Sequence, residues 1–395
     1  MSDTSLPSAT EELWRYSRIA DFPLDRFSAA KPSEPVRLPA RAVALLEALG
    51  VDEASALVCV DGFVQSSPSI KGLTIEVQRQ APAALCENAS PFCKLFADSI
   101  SDAIEVVIGE NATHIEQLVV LHVASQASTV SFPSVKLRVG ANASVKVVEV
   151  VVSDVGDLTV VPQTSVELGA GANVRYVNLQ LLDETAWQFG FQTSIVGQDA
   201  VLDSTSVALG GYYARVETES HLGGKGGEAR LNALYFGTGD QMHDFRTLQA
   251  HDAPKTTSDL LFKGAVANTA RSVYSGLIRV TKGAAGTRAF QTNRNLVLSD
   301  GAHADSVPNL EIDEQDVACS HASAVGPVDS EQLFYLESRG VPTGVARRLV
   351  VLGFLGELVD RTGVAGLNVF IDGLLGEKLE RAGIELINFE NGVQQ

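Results

Sequence analysis

The chain has few of the residues that usually mark a chemistry. Its 395 residues include only four cysteines, Cys59, Cys86, Cys93 and Cys319, and no C-x-x-C pair. A zinc ribbon and a thioredoxin-type redox motif are therefore excluded. Cys86 and Cys93 leave two readings open, a loose metal clip or reduced thiols of a cytosolic protein. Aromatics make up 6% of the chain while Val, Ala, Leu and Gly abound, which favours many thin, close-packed layers over a few bulky cores. Basic residues are also short, at 30 against 48 acidic, for a formal charge of −18. With no Lys/Arg cluster to displace counterions from phosphates, a nucleic-acid partner is set aside.

Long apolar runs are missing too. No window approaches the ~18 residues of a membrane span. The start, M-S-D-T-S-L-P-S, lacks the basic and apolar segments of a signal peptide. A soluble, cytoplasmic chain with no membrane partner is expected. Catalytic signatures fail in the same way. There is no G-x-S-x-G elbow, no H-E-x-x-H and no phosphate loop. The nearest string to a phosphate loop, Gly223-Gly224-Lys225-Gly226-Gly227, lacks the hydroxyl that would hold magnesium and reads as a turn.

What is present is a pattern of short β-type runs. From about Ile104 to Ile312, segments such as Q-L-V-V-L-H-V, S-V-K-V-V-E-V-V-V and N-V-R-Y-V-N-L follow one another with no amphipathic helix between them. Small-residue turns separate them, beginning at Gly109, Gly140, Gly169, Gly197, Gly264, Gly283 and Gly301, nearly all of the form Gly-x-x-Ala. A strand–turn unit returning every ~20–30 residues predicts a β-solenoid, since one coil cannot bury its inward row alone. An ordinary β-sandwich is the competing account.

The ends differ from this middle. Residues 1–95 read as a mixed, partly helical region. Ser8 and Thr10 before Glu11 and Glu12 predict a helix start, Ala40 to Leu49 a second helix closed by Gly50, and Ala56 to Val60 a strand turned at Asp61-Gly62. Residues 96–325 form the solenoid and 326–395 a helical region, with Asp329 as a cap and helices through 344–361, capped by Thr343, and 368–381. Its apolar content exceeds what one packed face needs, so a partner surface is expected there.

Two constellations could carry chemistry. His243-Asp244 and His251-Asp252 could face one ion, or form a structural ladder of hydrogen bonds on successive strands. In D-V-A-C-S-H-A-S-A-V-G, Cys319 and His321 stand two apart at the last β-type run. Thiolate and imidazole both suit iron, yet the same spacing also fits a buried thiol beside a hydrogen-bonded histidine. A stand-alone β-helix protein acting on metal or polysaccharide remains the alternative, although aromatic platforms and grouped carboxylates are scarce.

The strings F-K-G-A-V-A-N-T-A-R-S-V-Y-S-G-L-I-R-V from Phe262, Q-T-N-R-N-L-V-L-S-D-G-A-H-A-D-S-V-P-N-L-E-I from Gln291, D-V-A-C-S-H-A-S-A-V-G and L-F-Y-L-E-S-R-G-V-P from Leu333 are the most specific in the chain. Together they resemble the SufB/SufD family of iron–sulfur cluster assembly scaffolds. The start E-E-L-W-R-Y-S and the C-S-H segment lean to its SufD branch. The resemblance implies a right-handed parallel β-helix with helical N- and C-terminal regions, acting as a non-enzymatic scaffold. It implies pairing with SufB and with the ABC-type ATPase SufC, which would hydrolyse ATP and dock on the C-terminal helices. Self-pairing without SufB and association of reduced flavin stay open. By position His321, with Cys319 beside it, would hold a nascent cluster or iron opposite SufB. Arg347, Phe354 and Glu357 are assigned to the ATPase-facing helix, with internal packing as the other reading.

Overall fold

The computed structural model describes residues 6–8, 10–80, 101–113 and 117–384. Cys86 and Cys93 lie outside them. Strands account for 47% of the chain and helices for 18%, and the strands wind into a solenoid of about eight turns. From Gln163–Leu168 onward consecutive strands alternate between two sheets, so each coil of about 30 residues gives one strand to each. One sheet runs from Leu73–Gln80 to His303–Ile312, the other from Phe63–Ser66 to Val317–Gly326. Beyond the antiparallel pairs at the N-terminal end, every pairing is parallel and in register.

Parallel sheets covered on both faces need apolar runs with little alternation. Strand Ser144–Val152 illustrates this: Val145 and Val147 point into the solenoid, and Val148, Val150 and Val152 point outward to the helices. Its one buried carboxylate, Glu149, accepts hydrogen bonds from Tyr176 Oη at 2.6 Å and Thr164 Oγ1 at 2.9 Å. His122 Nε2 lies 2.8 Å away on the same carboxylate. These partners offset the burial of a polar group.

Gly301 stacks on Asn268 at one corner of the solenoid, while most of the repeated glycine turns form the opposite corner. Asn111, Asn142, Gly171, Asp199, Gly226, Lys255 and Gly286 stack there with φ between 51 and 77°. Each N–H donates to a carbonyl of the next coil at 2.7–3.2 Å. Stacking at strand spacing crowds particular positions of this corner: a Cβ on Gly140 would come within 2.7 Å of the Glu110 nitrogen. The string Gly223–Gly227 belongs to this same corner. The expected turn at Gly264–Ala267 does not form. Those residues mostly finish strand Thr257–Val266, and the chain turns at Ala267–Ala270 around Asn268, φ 60°.

Four helices, α1 (Ala40–Leu49), α2 (Ser330–Ser338), α3 (Thr343–Arg361) and α4 (Leu367–Arg381), complete the described fold. α1 ends at left-handed Gly50 as the sequence predicts. Leu45 of α1, Leu355 and Leu358 of α3, and Ile371 and Leu375 of α4 bury against the outer valines of the second sheet. Each fully buried aliphatic side chain contributes about 1.5–3 kcal/mol. The helix expected after Thr10 is reduced to a single 3₁₀ turn, Glu12–Trp14. Arg215 Nη2 and Arg246 Nη2 bind the carbonyl oxygens of Leu13 and Arg15, and Tyr16 at φ 66° breaks the path. The segment thus lies as a strap, with Trp14, Phe22 and Phe27 packed on Trp187, Phe189 and Tyr213.

Candidate functional site at the open end of the solenoid

Strand Val317–Gly326 is the last rung of its sheet and, among the described residues, pairs only with Thr287–Val297. The register sets Cys319 on Ala289, His321 on Gln291 and Ser323 on Asn293. In the lower strand, Thr287, Ala289, Gln291, Asn293 and Asn295 are buried while Arg288 and Arg294 are exposed. The buried set is the inward row, so Cys319 and His321 continue it by one coil. Residues two apart on a strand share a face at about 6.6 Å. Among the described residues no further coil covers them.

The same holds across the mouth of the solenoid. His303–Ile312 ends the first sheet, with Leu310 39% and Ile312 38% exposed. Together with Val325 on the last strand of the second sheet they form an apolar rim at the unpaired strand edges. Natural solenoids close such ends with polar capping repeats, and exposed edges attract further strands. Cys319 packs partly against Ile278, Val280 and Ala289. Burial pushes its thiol above the ordinary range, opposed by a backbone hydrogen bond at Ala289. His321 is exposed. Among the described residues no third His, Cys, Asp or Glu joins them in a metal-binding group.

The His–Asp pairs behave otherwise. Both histidines stand on one strand, Met242–His251, and not on successive strands. Eight residues separate them by about 26 Å, too far to share an ion. His243 is fully buried, its Nε2 3.2 Å from the Gly210 carbonyl oxygen, and burial lowers its pKa to about 3. His251 bridges Thr256 and Ser258 and is lowered by burial to about 4. Asp244 faces the outside of the sheet, beneath the strap.

Arg347, Phe354 and Glu357 on α3 all contact the solenoid flank. Arg347 Nη2 donates to the Leu298 carbonyl oxygen, and Lys263 Nζ lies over the Phe354 ring and pairs with Glu357 at 2.6 Å. Glu357 still keeps about half its surface, and Lys263 holds its carboxyl below the usual range. The free apolar surface of this region lies elsewhere, on Phe334 (72% exposed), Tyr335, Leu349 and, on α4, Val369. Neither these nor Leu310 and Ile312 stand out in the sequence as site residues. An apolar inward row with no strand run after it was the available signal.

A family model described as "SUF system FeS cluster assembly, SufBD core domain" matches residues 122–354, from the apolar interior coils through the open end to α3. The chain belongs to the SufB/SufD family. The iron–sulfur cluster assembly protein SufD of Escherichia coli is 28% identical over 390 residues, covering 95% of this chain and 90% of that protein. SufD of Bacillus subtilis is 34% identical over 164 residues, 42% of this chain and 38% of that one. The iron–sulfur cluster assembly SufBD family protein of Mycobacterium tuberculosis is 43% identical over 193 residues, 47% and 49% of the two chains. The match thus spans about half the length of the mycobacterial relatives. Within the SufB/SufD family the chain goes with SufD. No helix among its described residues is long and apolar enough to cross a membrane.

Proposed function

We propose that this chain is a scaffold subunit whose open solenoid end docks a SufB-type β-helix and presents His321, with Cys319 beside it, to a nascent iron–sulfur cluster or iron. One observation carries the reading. The inward row of the solenoid surfaces at an uncapped end, so chemistry-bearing side chains and an apolar rim share one exposed edge. Two donors are too few for iron, and the partner chain supplies the rest. Cys319 has to lose its proton to ligate, which makes assembly pH-sensitive. The exposed apolar side chains of α2 and α3 support docking of a SufC-type ATPase, where nucleotide chemistry resides. The chain itself acts without catalysis, in the cytoplasm.

Co-expression with a SufB-type chain and a SufC-type ATPase, followed by affinity purification and light scattering, tests this. A stable assembly containing all three chains is expected, and Leu310→Glu with Ile312→Glu is expected to remove the SufB-type chain. A lone monomer that degrades polysaccharide would overturn the proposal.

A further inference from the structure

We propose that Gln291 is the positioning residue for His321, holding one imidazole nitrogen so that the other faces out of the solenoid. The inference deepens the proposed role of His321 and rests on it. The two residues are register partners on the same inward row, one coil apart, with strands about 4.8 Å from each other. Side chains so placed lie one above the other, within reach of a direct hydrogen bond or one bridging water.

Gln291 has unused hydrogen-bonding capacity in that position. It is 1% exposed, and neither its Nε2 nor its Oε1 has a well-formed hydrogen bond among the described residues. Its neighbour in the coil beneath is Leu260, which offers no side-chain partner. On the opposite sheet Gly276 makes room for it: a Cβ there would collide with Gln291 Nε2 and with Tyr274 Oη. The Tyr274 hydroxyl, bonded to Thr247 at 3.0 Å, also interacts with the amide, and one hydroxyl can serve only one end of it. A buried amide with one end unpaired costs about 1–3 kcal/mol, so its retention beneath a histidine calls for a partner from above.

An imidazole offers one acceptor and one donor, and a carboxamide can meet either. The useful arrangement has Gln291 Oε1 accepting from one ring N–H, which leaves the other nitrogen unprotonated and free to bind metal. Partners of this kind set the tautomer and orientation of a ligand histidine, and losing them typically reduces metal affinity or activity 10–100-fold. Cys319, two residues away, rests on Ala289 and has no such support from below.

The test compares wild type with Gln291→Leu and Gln291→Glu. Leucine matches the volume and stacks on Leu260, and glutamate keeps an acceptor. Nitrogen-15 spectra of ring-labelled chain report the His321 tautomer without any metal, with His321→Ala assigning the signal. One dominant tautomer is expected in the wild type and in Gln291→Glu, and a mixture in Gln291→Leu. Cluster yield in the purified complex should fall at least tenfold in Gln291→Leu at an unchanged denaturation midpoint. An identical His321 spectrum in wild type and Gln291→Leu overturns the positioning role. If the spectra differ as expected but His321→Ala assembles clusters normally, the ligand role of His321 fails and the Gln291 contact stands.

Discussion

Arg215 and Asp244 form a buried ion pair on the outer face of the first sheet, Nη1 to Oδ2 at 2.9 Å. Tyr213 Oη and Arg246 Nε also donate to Asp244, at 2.7 Å each, and the Arg215 guanidinium stacks 4.1 Å from the Trp14 ring centre. The pair joins the solenoid to the N-terminal strap. Asp244→Ala leaves Arg246 without its carboxylate and Arg215 with Glu217 alone, at 2.8 Å, and should cost about 3 kcal/mol. A lowered urea midpoint with altered tryptophan fluorescence checks this, and an unchanged midpoint contradicts it.

The glycines of the stacked corner are not equivalent. A Cβ on Gly224 would collide with the backbone of Gln198, whereas one on Gly223 meets nothing within 4 Å. Gly224→Ala should therefore destabilise by about 1–3 kcal/mol. Gly223→Ala should lie within ±0.5 kcal/mol. Denaturation midpoints of the two variants, measured side by side, test the corner directly.

Lys378 on α4 carries the clearest pH dependence. It is buried with Nζ donating to Gln241 Oε1 and to Thr238 Oγ1 at 3.3 Å, and burial lowers its pKa from 10.5 to about 7. Glu184 and Glu377 raise it, while Arg381 and Arg41 lower it further. Between pH 7 and 10.5 the unfolded chain holds the extra proton, so this residue's contribution to stability rises with pH, by at most about 1.4 kcal/mol per unit. Below pH 7 the penalty is fully present. Lys378→Met should be more stable than wild type at pH 6, with the difference shrinking by pH 9. Parallel stability curves for the two chains would contradict this.

Much of the solenoid was legible because its demands are local. Gly-x-x-Ala turns and runs such as S-V-K-V-V-E-V-V-V reflect close stacking and two covered faces, both written in neighbouring residues. The Gly264 turn misled for the converse reason: its small residues serve packing inside a strand, Gly264 making way for the Tyr235 ring. The strap was illegible, because Arg215 and Arg246 reach it from some 200 residues away along the chain. The same applies to the histidines. His243 and His321 look alike in sequence, and only the register shows that one closes an interior hydrogen bond and the other stands on an open rung. Gln291 was invisible until Leu260, Gly276 and His321 were placed around it.

The central claim is that the exposed rung holds the growing cluster. Cluster reconstitution on the co-purified complex, comparing wild type with His321→Ala at matched protein levels, tests it most directly. The account predicts an intact complex whose cluster absorbance is largely lost. Wild-type cluster yield in the His321→Ala complex would contradict it.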